Sequence, residues 1–144
     1  MNETDSEILK ILREDGRISW RDLGAAVGLS ANAASDRVRR LRNAGVITGF
    51  TALVDPGAGG RKLEALVGVT VGPDTDSDDF SAAASKLDSV LEILHLSGTP
   101  DYQLRVACLD TAELDTLLRT LRRQCGAADT ETTLILRSGP PLAQ

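Results

Sequence analysis

Apolar residues recur at helical spacing three times near the start of the chain, and the pattern then switches to alternation. Ile8, Leu9, Ile11 and Leu12 make one apolar face, as an amphipathic helix requires. Thr4 and Glu7 stand ahead of it at capping-box spacing, so a helix is predicted to start at Thr4. Asp15-Gly16 ends it, because glycine accepts a left-handed turn. Ser19 caps a second, short helix, with Asp22 in the reciprocal place and Leu23, Ala26 and Val27 as its buried side. Gly28-Leu29-Ser30 is a tight turn, and Ser30 caps a third helix with Ala34, Val38 and Leu41 inward. Asn43-Ala44-Gly45 stops that helix. Val46 to Val54 is rich in β-formers and reads as a wing or connecting strand.

Asp55-Pro56-Gly57-Ala58-Gly59-Gly60 is the clearest boundary, since Pro and Gly prevent helix and favour a turn or hinge. Beyond it, Leu63, Ala65, Val67, Val69 and Val71 alternate along a strand. Pro73 to Asp79 reads as an acidic loop, and Phe80, Ala83, Ala84 and Leu87 as a helix. Val90 to Ser97 and Tyr102 to Leu109 read as strands around the turn Gly98-Thr99-Pro100-Asp101. Asp110 and Glu113 are spaced as a capping box for a helix carrying Leu114, Leu117, Leu118 and Leu121. Gly126 ends it, and Thr130 to Leu136 is the last strand. The order βαββαβ is the ferredoxin-like split arrangement, an antiparallel sheet with both helices on one face. Leu66, Ile93 and Leu104 are expected to place apolar groups on the uncovered face. Soluble monomers avoid such a patch, so a sheet-to-sheet dimer or higher assembly is expected.

The pattern thus predicts an α+β chain: a helix-turn-helix with a wing (a winged helix-turn-helix) over residues 1–50, a connecting strand and linker over 51–61, and the ferredoxin-like βαββαβ domain over 62–137. A tail over 138–144, with Pro140-Pro141, is expected to be disordered.

Composition narrows the function classes. The chain has 144 residues and only four aromatic ones, Trp20, Phe50, Phe80 and Tyr102, so its cores must be aliphatic. No apolar run approaches the roughly 18 residues of a membrane span, and Met1 to Lys10 does not read as a signal peptide. A cytoplasmic protein is expected. Cys108, Cys125 and the single histidine, His95, cannot build a four-ligand zinc site, and no cofactor is implied. Free thiols suit a reducing compartment.

The net charge of −5 looks wrong for a DNA-binding protein. The distribution changes that picture. Residues 1–61 carry nine basic and eight acidic side chains, and residues 62–144 carry seven and thirteen. Arg37, Arg39, Arg40 and Arg42 cluster in the third helix. A local basic patch binds phosphate while the remainder stays acidic. In a helix-turn-helix the second helix of the motif enters the major groove by its N-terminal end, which brings Asn32 and Ser35 near base edges. Asparagine reads adenine with two hydrogen bonds, and Asp36 can accept from cytosine N4. Arg37, Arg39, Arg40 and Arg42 suit phosphates, with Arg17 and Arg21 as further backbone contacts. The bland alternative is a three-helix protein-interaction module.

Ordered motifs add to this reading. Asp5-Ser6-Glu7-Ile8-Leu9, Asp15-Gly16-Arg17-Ile18-Ser19, Val27-Gly28-Leu29-Ser30, Arg37-Val38-Arg39-Arg40-Leu41 and Gly45-Val46-Ile47-Thr48-Gly49-Phe50 follow one another at tight spacing. With Val90-Leu91-Glu92, Gly98-Thr99-Pro100-Asp101-Tyr102 and Thr130-Glu131-Thr132, the chain resembles the Lrp/AsnC family of feast/famine regulators over nearly its whole length. The resemblance makes the domain over 62–137 an αβ-sandwich, and it implies double-stranded DNA as a partner, dimers often stacked into octamers, and amino-acid effectors bound between dimers.

It also implies an effector loop at Gly98, Thr99, Pro100, Asp101 and Tyr102. Asp101 can pair with an α-ammonium group, and loop N–H groups can bind a carboxylate. Thr130 and Thr132 can supply hydroxyls from a neighbouring copy. Thr99-Pro100 departs from the family pattern, which more often has an aromatic just before the aspartate, and Pro100 removes an N–H donor. Two rivals share this chain's pattern. Siroheme decarboxylases resemble the same family but use histidine and arginine around a tetrapyrrole, and here His95 stands alone between Leu94 and Leu96. A metabolite-binding module that regulates an enzyme would leave the outward arginines without a role. A serine, cysteine or carboxylate catalytic centre lacks any nucleophile-bearing motif.

Overall fold

The structure, a computed structural model, describes residues 2–139. The chain forms two compact units that divide between Leu53 and Val54. The last five residues of the expected tail lie outside the described residues.

The first unit holds three helices, α1 (Glu3–Glu14), α2 (Trp20–Val27) and α3 (Ala31–Asn43). α1 starts earlier than expected. Asn2, not Thr4, is its cap, and the reciprocal partner is Asp5: the Asp5 N–H donates to Asn2 Oδ1 at 2.9 Å and the Asn2 N–H to Asp5 Oδ2 at 3.1 Å. Both Asn–Asp and Thr–Glu have capping spacing, and the earlier pair lengthens the helix by two residues. Ser19 caps α2 as expected, accepting from the Asp22 N–H, while its hydroxyl donates to the Asp22 carboxylate at 2.7 Å. α2 buries Leu23 and Gly24, whereas Ala26, expected inside, is exposed. Gly24 is where the α2–α3 turn crosses: a Cβ there would lie 2.6 Å from the Leu29 carbonyl oxygen. Gly28 closes α2 in the left-handed region at φ 70°. Ser30 caps α3, whose Ala34, Val38 and Leu41 are buried with Ile8 and Leu23 in one small core.

Val46 to Val54 does not form a strand. Val46 and Ile47 donate their N–H groups to Leu41 O, extending the end of α3. The following backbone pairs with no strand among the described residues. β-forming side chains alone do not make a strand where the chain offers no second edge.

The second unit opens with a 3-10 turn at Pro56–Gly59, capped by Asp55. Then follow β1 (Leu63–Val71), α4 (Ser77–Ala84), β2 (Val90–His95), β3 (Tyr102–Cys108), α5 (Thr111–Gln124) and β4 (Ala127–Leu134). The sheet is antiparallel in the order β2-β3-β1-β4, and Ala65, Val67, Val69, Tyr102, Leu104, Val106 and Cys108 pack with Phe80, Ala84, Leu114, Leu117 and Leu121 from the two helices. The βαββαβ expectation holds, with shifted ends. α4 begins inside the expected acidic loop because Asp76 caps it, accepting from the Asp78 and Asp79 N–H groups. β4 begins directly after Gly126, which sits at φ 89° under Thr75. Glu113 is not the reciprocal half of a capping box with Asp110. Its carboxylate accepts from the Leu109 N–H instead.

The uncovered face is also composed differently. Leu66 lies on it and is exposed, but Leu104 is fully buried on the helix side and Ile93 packs against the same core. An irregularity at Leu91, between Val90↔Val106 and Glu92↔Arg105, resets the alternation so that Ile93 pairs with Leu104 on the helix side. Leu91 and Leu94 are exposed on β2.

Candidate nucleic-acid and effector surfaces

With Ala34, Val38 and Leu41 buried, α3 presents the opposite side to solvent. Asn32, Arg39, Arg40 and Arg42 are exposed, and Ser35, Asp36 and Arg37 are half-buried. These side chains differ in how they are held. Arg37 turns inward: its Nε lies 3.4 Å from Asp5 Oδ1 on α1. Arg39 is bound to Asp36 by a 2.7 Å hydrogen bond one helical turn away. Arg40 and Arg42 have no ion pair among the described residues. Arg17 extends from the α1–α2 turn, its backbone N–H bound to Asp15 Oδ1 at 2.8 Å. Arg21, on the first turn of α2, is exposed beside Asp22 at 3.5 Å. The Ser19 hydroxyl holds the Asp22 carboxyl below its usual range, with Arg21 helping. Trp20 and Phe50, two of the four aromatic residues and neither assigned to a site from the sequence, stand exposed on the same unit.

The expected effector residues part company. Asp101 is half-buried, and its Oδ2 accepts from the Val71 N–H at 2.8 Å, closing the end of β1. Pro100, which follows a cis peptide bond, lies over the open face of the sheet at Gly68. A Cβ on Gly68 would meet Pro100 Cγ at 2.9 Å. Gly98 and Thr99 are exposed. Tyr102 does not join this surface: it is buried in the sheet core, its hydroxyl donates to Ser77 O at 2.7 Å, and its ring stacks on His95 with centroids 4.5 Å apart. Thr130 and Thr132 are half-buried on β4, across from Val69 and Val67. The Thr130 hydroxyl accepts from Arg122 at 2.6 Å, so a guanidinium on α5, absent from the sequence expectation, stands beside it.

A further polar cluster went unread in the sequence. The Glu113 carboxylate accepts from the Leu109 N–H, from Ser89 Oγ at 2.8 Å and from Arg61 at 3.1 and 3.2 Å. These bonds, the backbone one first, hold its carboxyl below the usual range. Burial pushes the thiols of Cys108 and Cys125 up, so both stay protonated. No group of side chains among the described residues has the composition of a metal site, and no helix is long and apolar enough to cross a membrane.

A capped helix-turn-helix followed by a separate sheet domain defines a class: transcription regulators with one DNA-binding and one ligand-binding unit. Sequence comparison identifies both parts. A winged helix-turn-helix DNA-binding model matches residues 1–48, and the Lrp/AsnC ligand binding domain model matches residues 64–139. The leucine-responsive regulatory protein of Salmonella typhimurium is 37% identical over 140 residues, covering 94% of this chain and 85% of that protein. An HTH-type transcriptional regulator of Pyrococcus horikoshii is 30% identical over 138 residues, covering 96% and 91%. The feast or famine regulatory protein from M. tuberculosis, solved in complex with L-methionine, superposes with a TM-score of 0.90 at 31% identity, covering 99% of this chain and 97% of that one. This chain belongs to the Lrp/AsnC family of transcription regulators.

Proposed function

We propose that the protein regulates transcription by reading double-stranded DNA through the exposed face of α3, and that an α-amino acid sets its activity. The observation that carries the DNA half is the register of α3. Burial of Ala34, Val38 and Leu41 leaves Asn32, Arg39, Arg40 and Arg42 outward at the end capped by Ser30 and beyond it. Asn32 and Ser35 read bases, with Asp36 fixing Arg39 and accepting from cytosine where the step allows. Arg39, Arg40, Arg42, Arg17 and Arg21 hold phosphates. Arg37 contributes by way of its ion pair with Asp5 rather than by direct contact.

The amino-acid half is supported by two relatives solved with L-methionine, from M. tuberculosis and Neisseria meningitidis. In this chain Asp101 spends one carboxylate oxygen on Val71, which leaves the other for an ammonium group. Gly98, Thr99 and Pro100 shape the loop, and Thr130, Thr132 and Arg122 of a neighbouring copy offer hydroxyls and a cation for a carboxylate. Exposed Leu66, Leu91 and Leu94 favour a dimer, and dimers stacked into an octamer would bring loops of adjacent copies together. The protein acts by binding, without catalysis, in line with relatives named as regulators, and as a reader of DNA it acts in the cytoplasm.

The test is a salt series of DNA binding. Arg40→Ala weakens binding to every sequence and lowers the salt slope by about one, whereas Asn32→Ala changes sequence preference. If both variants bind like the parent, α3 does not read DNA. A thermal-shift screen of the twenty amino acids tests the sensor, because a ligand of the native state raises stability.

A further inference from the structure

One cleft of the first unit shares its rim with the DNA reading, through Arg17, Ser35, Arg39 and Arg42, but its apolar floor and aromatic walls are used by neither reading. Between the end of α1, the start of α2 and the middle of α3 lies an open cleft of about 860 Å³. Its floor is apolar: Leu12, Ile18 and Val38 all belong to or pack on the helical core. Trp20 and Phe50 form walls, each close to half exposed, at 44% and 48%. Gly16 leaves room beside Phe50, since even a methyl there would sit 3.5 Å from Phe50 Cδ1.

The rim is basic. Arg17, Arg39 and Arg42 line the cleft, and no acidic side chain does. Arg39 is partly spent on Asp36, and the Ser19 hydroxyl on Asp22. Arg17 and Arg42 have no ion pair among the described residues. Small-molecule sites combine apolar walls with a few fixed polar groups, in clefts of roughly 300–1,000 Å³. A phosphate of the DNA backbone satisfies the rim but leaves the floor and both aromatic walls unused. A neutral apolar ligand does the reverse.

The geometry points to a small aromatic carboxylate as the occupant, its ring between Trp20 and Phe50 and its carboxylate paired with Arg17 and Arg42. Guanidinium–carboxylate pairs are among the stronger hydrogen-bonded contacts. The ring supplies the apolar area that a bare anion lacks. Such a ligand draws on arginines also assigned to phosphates, so the reading head carries its own small-molecule site, separate from the Gly98–Asp101 loop.

Trp20 is the single tryptophan of the chain, so its emission reports on this cleft. The full chain is titrated with 3-phenylpropionate, with excitation at the red edge of tryptophan absorption, where the probe does not absorb. A saturable change with a Kd between about 10 μM and 1 mM is expected. Arg17→Ala/Arg42→Ala, two exposed positions, should weaken it by about tenfold or more, and 3-phenylpropanamide should bind weaker than the acid by a similar factor. Asp101→Ala should leave it unchanged. The site is overturned by no saturable change, by an equal response to the amide or to acetate, or by a double variant that binds like the parent. It is also overturned if Trp20 emission varies with protein concentration and the probe has no effect, because a second copy then fills the cleft. A gel shift of unliganded protein is scored separately: failure there removes the DNA reading and leaves the cleft standing.

Discussion

Arg37 on α3 points back to Asp5 on α1, with Nε 3.4 Å from Oδ1 and the side chains only 30% and 12% exposed. Asp5 also completes the cap of α1 through the Asn2 N–H. One carboxylate therefore fixes both the start of α1 and the angle at which α3 lies on it. Asp5→Ala strands a half-buried guanidinium and should cost about 1–3 kcal/mol of stability. Arg37→Ala should cost a similar amount, and the double variant less than the sum. Urea unfolding of the four proteins checks this; additive losses would mean that the two groups do not act together.

The Gly68–Pro100 contact yields a second expectation. Gly68→Ala places a methyl 2.9 Å from Pro100 Cγ, and overpacking of this kind costs about 1–3 kcal/mol. The loop Gly98–Asp101 is displaced, so any amino-acid response in a thermal-shift series should weaken. Pro100→Ala in the same chain should restore much of the stability. Absence of rescue would show that the methyl collides elsewhere.

Tyr102 separates a core role from a ligand role. Tyr102→Phe loses one hydrogen bond, to Ser77 O, at a cost of about 1 kcal/mol. Tyr102→Ala opens a cavity in the sheet core and should cost about 3–5 kcal/mol. The phenylalanine variant should respond to amino acids like the parent. A lost response at near-parent stability would instead put the hydroxyl against the ligand.

Glu113 gives a pH dependence. Its carboxyl is held below the usual value by Leu109, Ser89 and Arg61. A depressed folded pKa means that the unfolded chain takes up the proton first. The stabilisation is therefore complete above the unfolded value, near 4.5, and is lost as pH falls through the lower folded one. Melting temperatures of the parent should drop more steeply below that pH than those of Glu113→Gln. Parallel curves would remove Glu113 as the cause.

Legibility in the sequence followed how local each cause is. Ser19, Ser30 and the Ala34-Val38-Leu41 period specify helices through near neighbours, and they hold. Thr4 is not the cap because Asn2 and Asp5 offer the same spacing two residues earlier. Gly24 was invisible to an apolar count although it is the closest approach in the turn. Ile93 is on the helix side because one irregularity at Leu91 reverses a period of two on β2, and Leu104 is there because it stays in step with buried Tyr102 and Val106 on β3. Val46 to Val54 has strand-forming side chains, but pairing depends on an edge that composition does not contain. At the candidate sites, the outward face of α3 was readable, while the inward turn of Arg37 was not, since its partner lies on another helix. Asp101 could be picked out, but its bond to Val71 joins residues far apart in the chain.

Glu113 also answers a topological question. Its bonds to Ser89 and Arg61 span 24 and 52 residues, and so close two long loops through a single carboxylate. Closing loops of that length is the work a disulfide does in chains with oxidised cysteines. Here both cysteines are free and buried, and the cross-link is made of hydrogen bonds. It is a tie that proton concentration can undo and that reducing agents cannot touch.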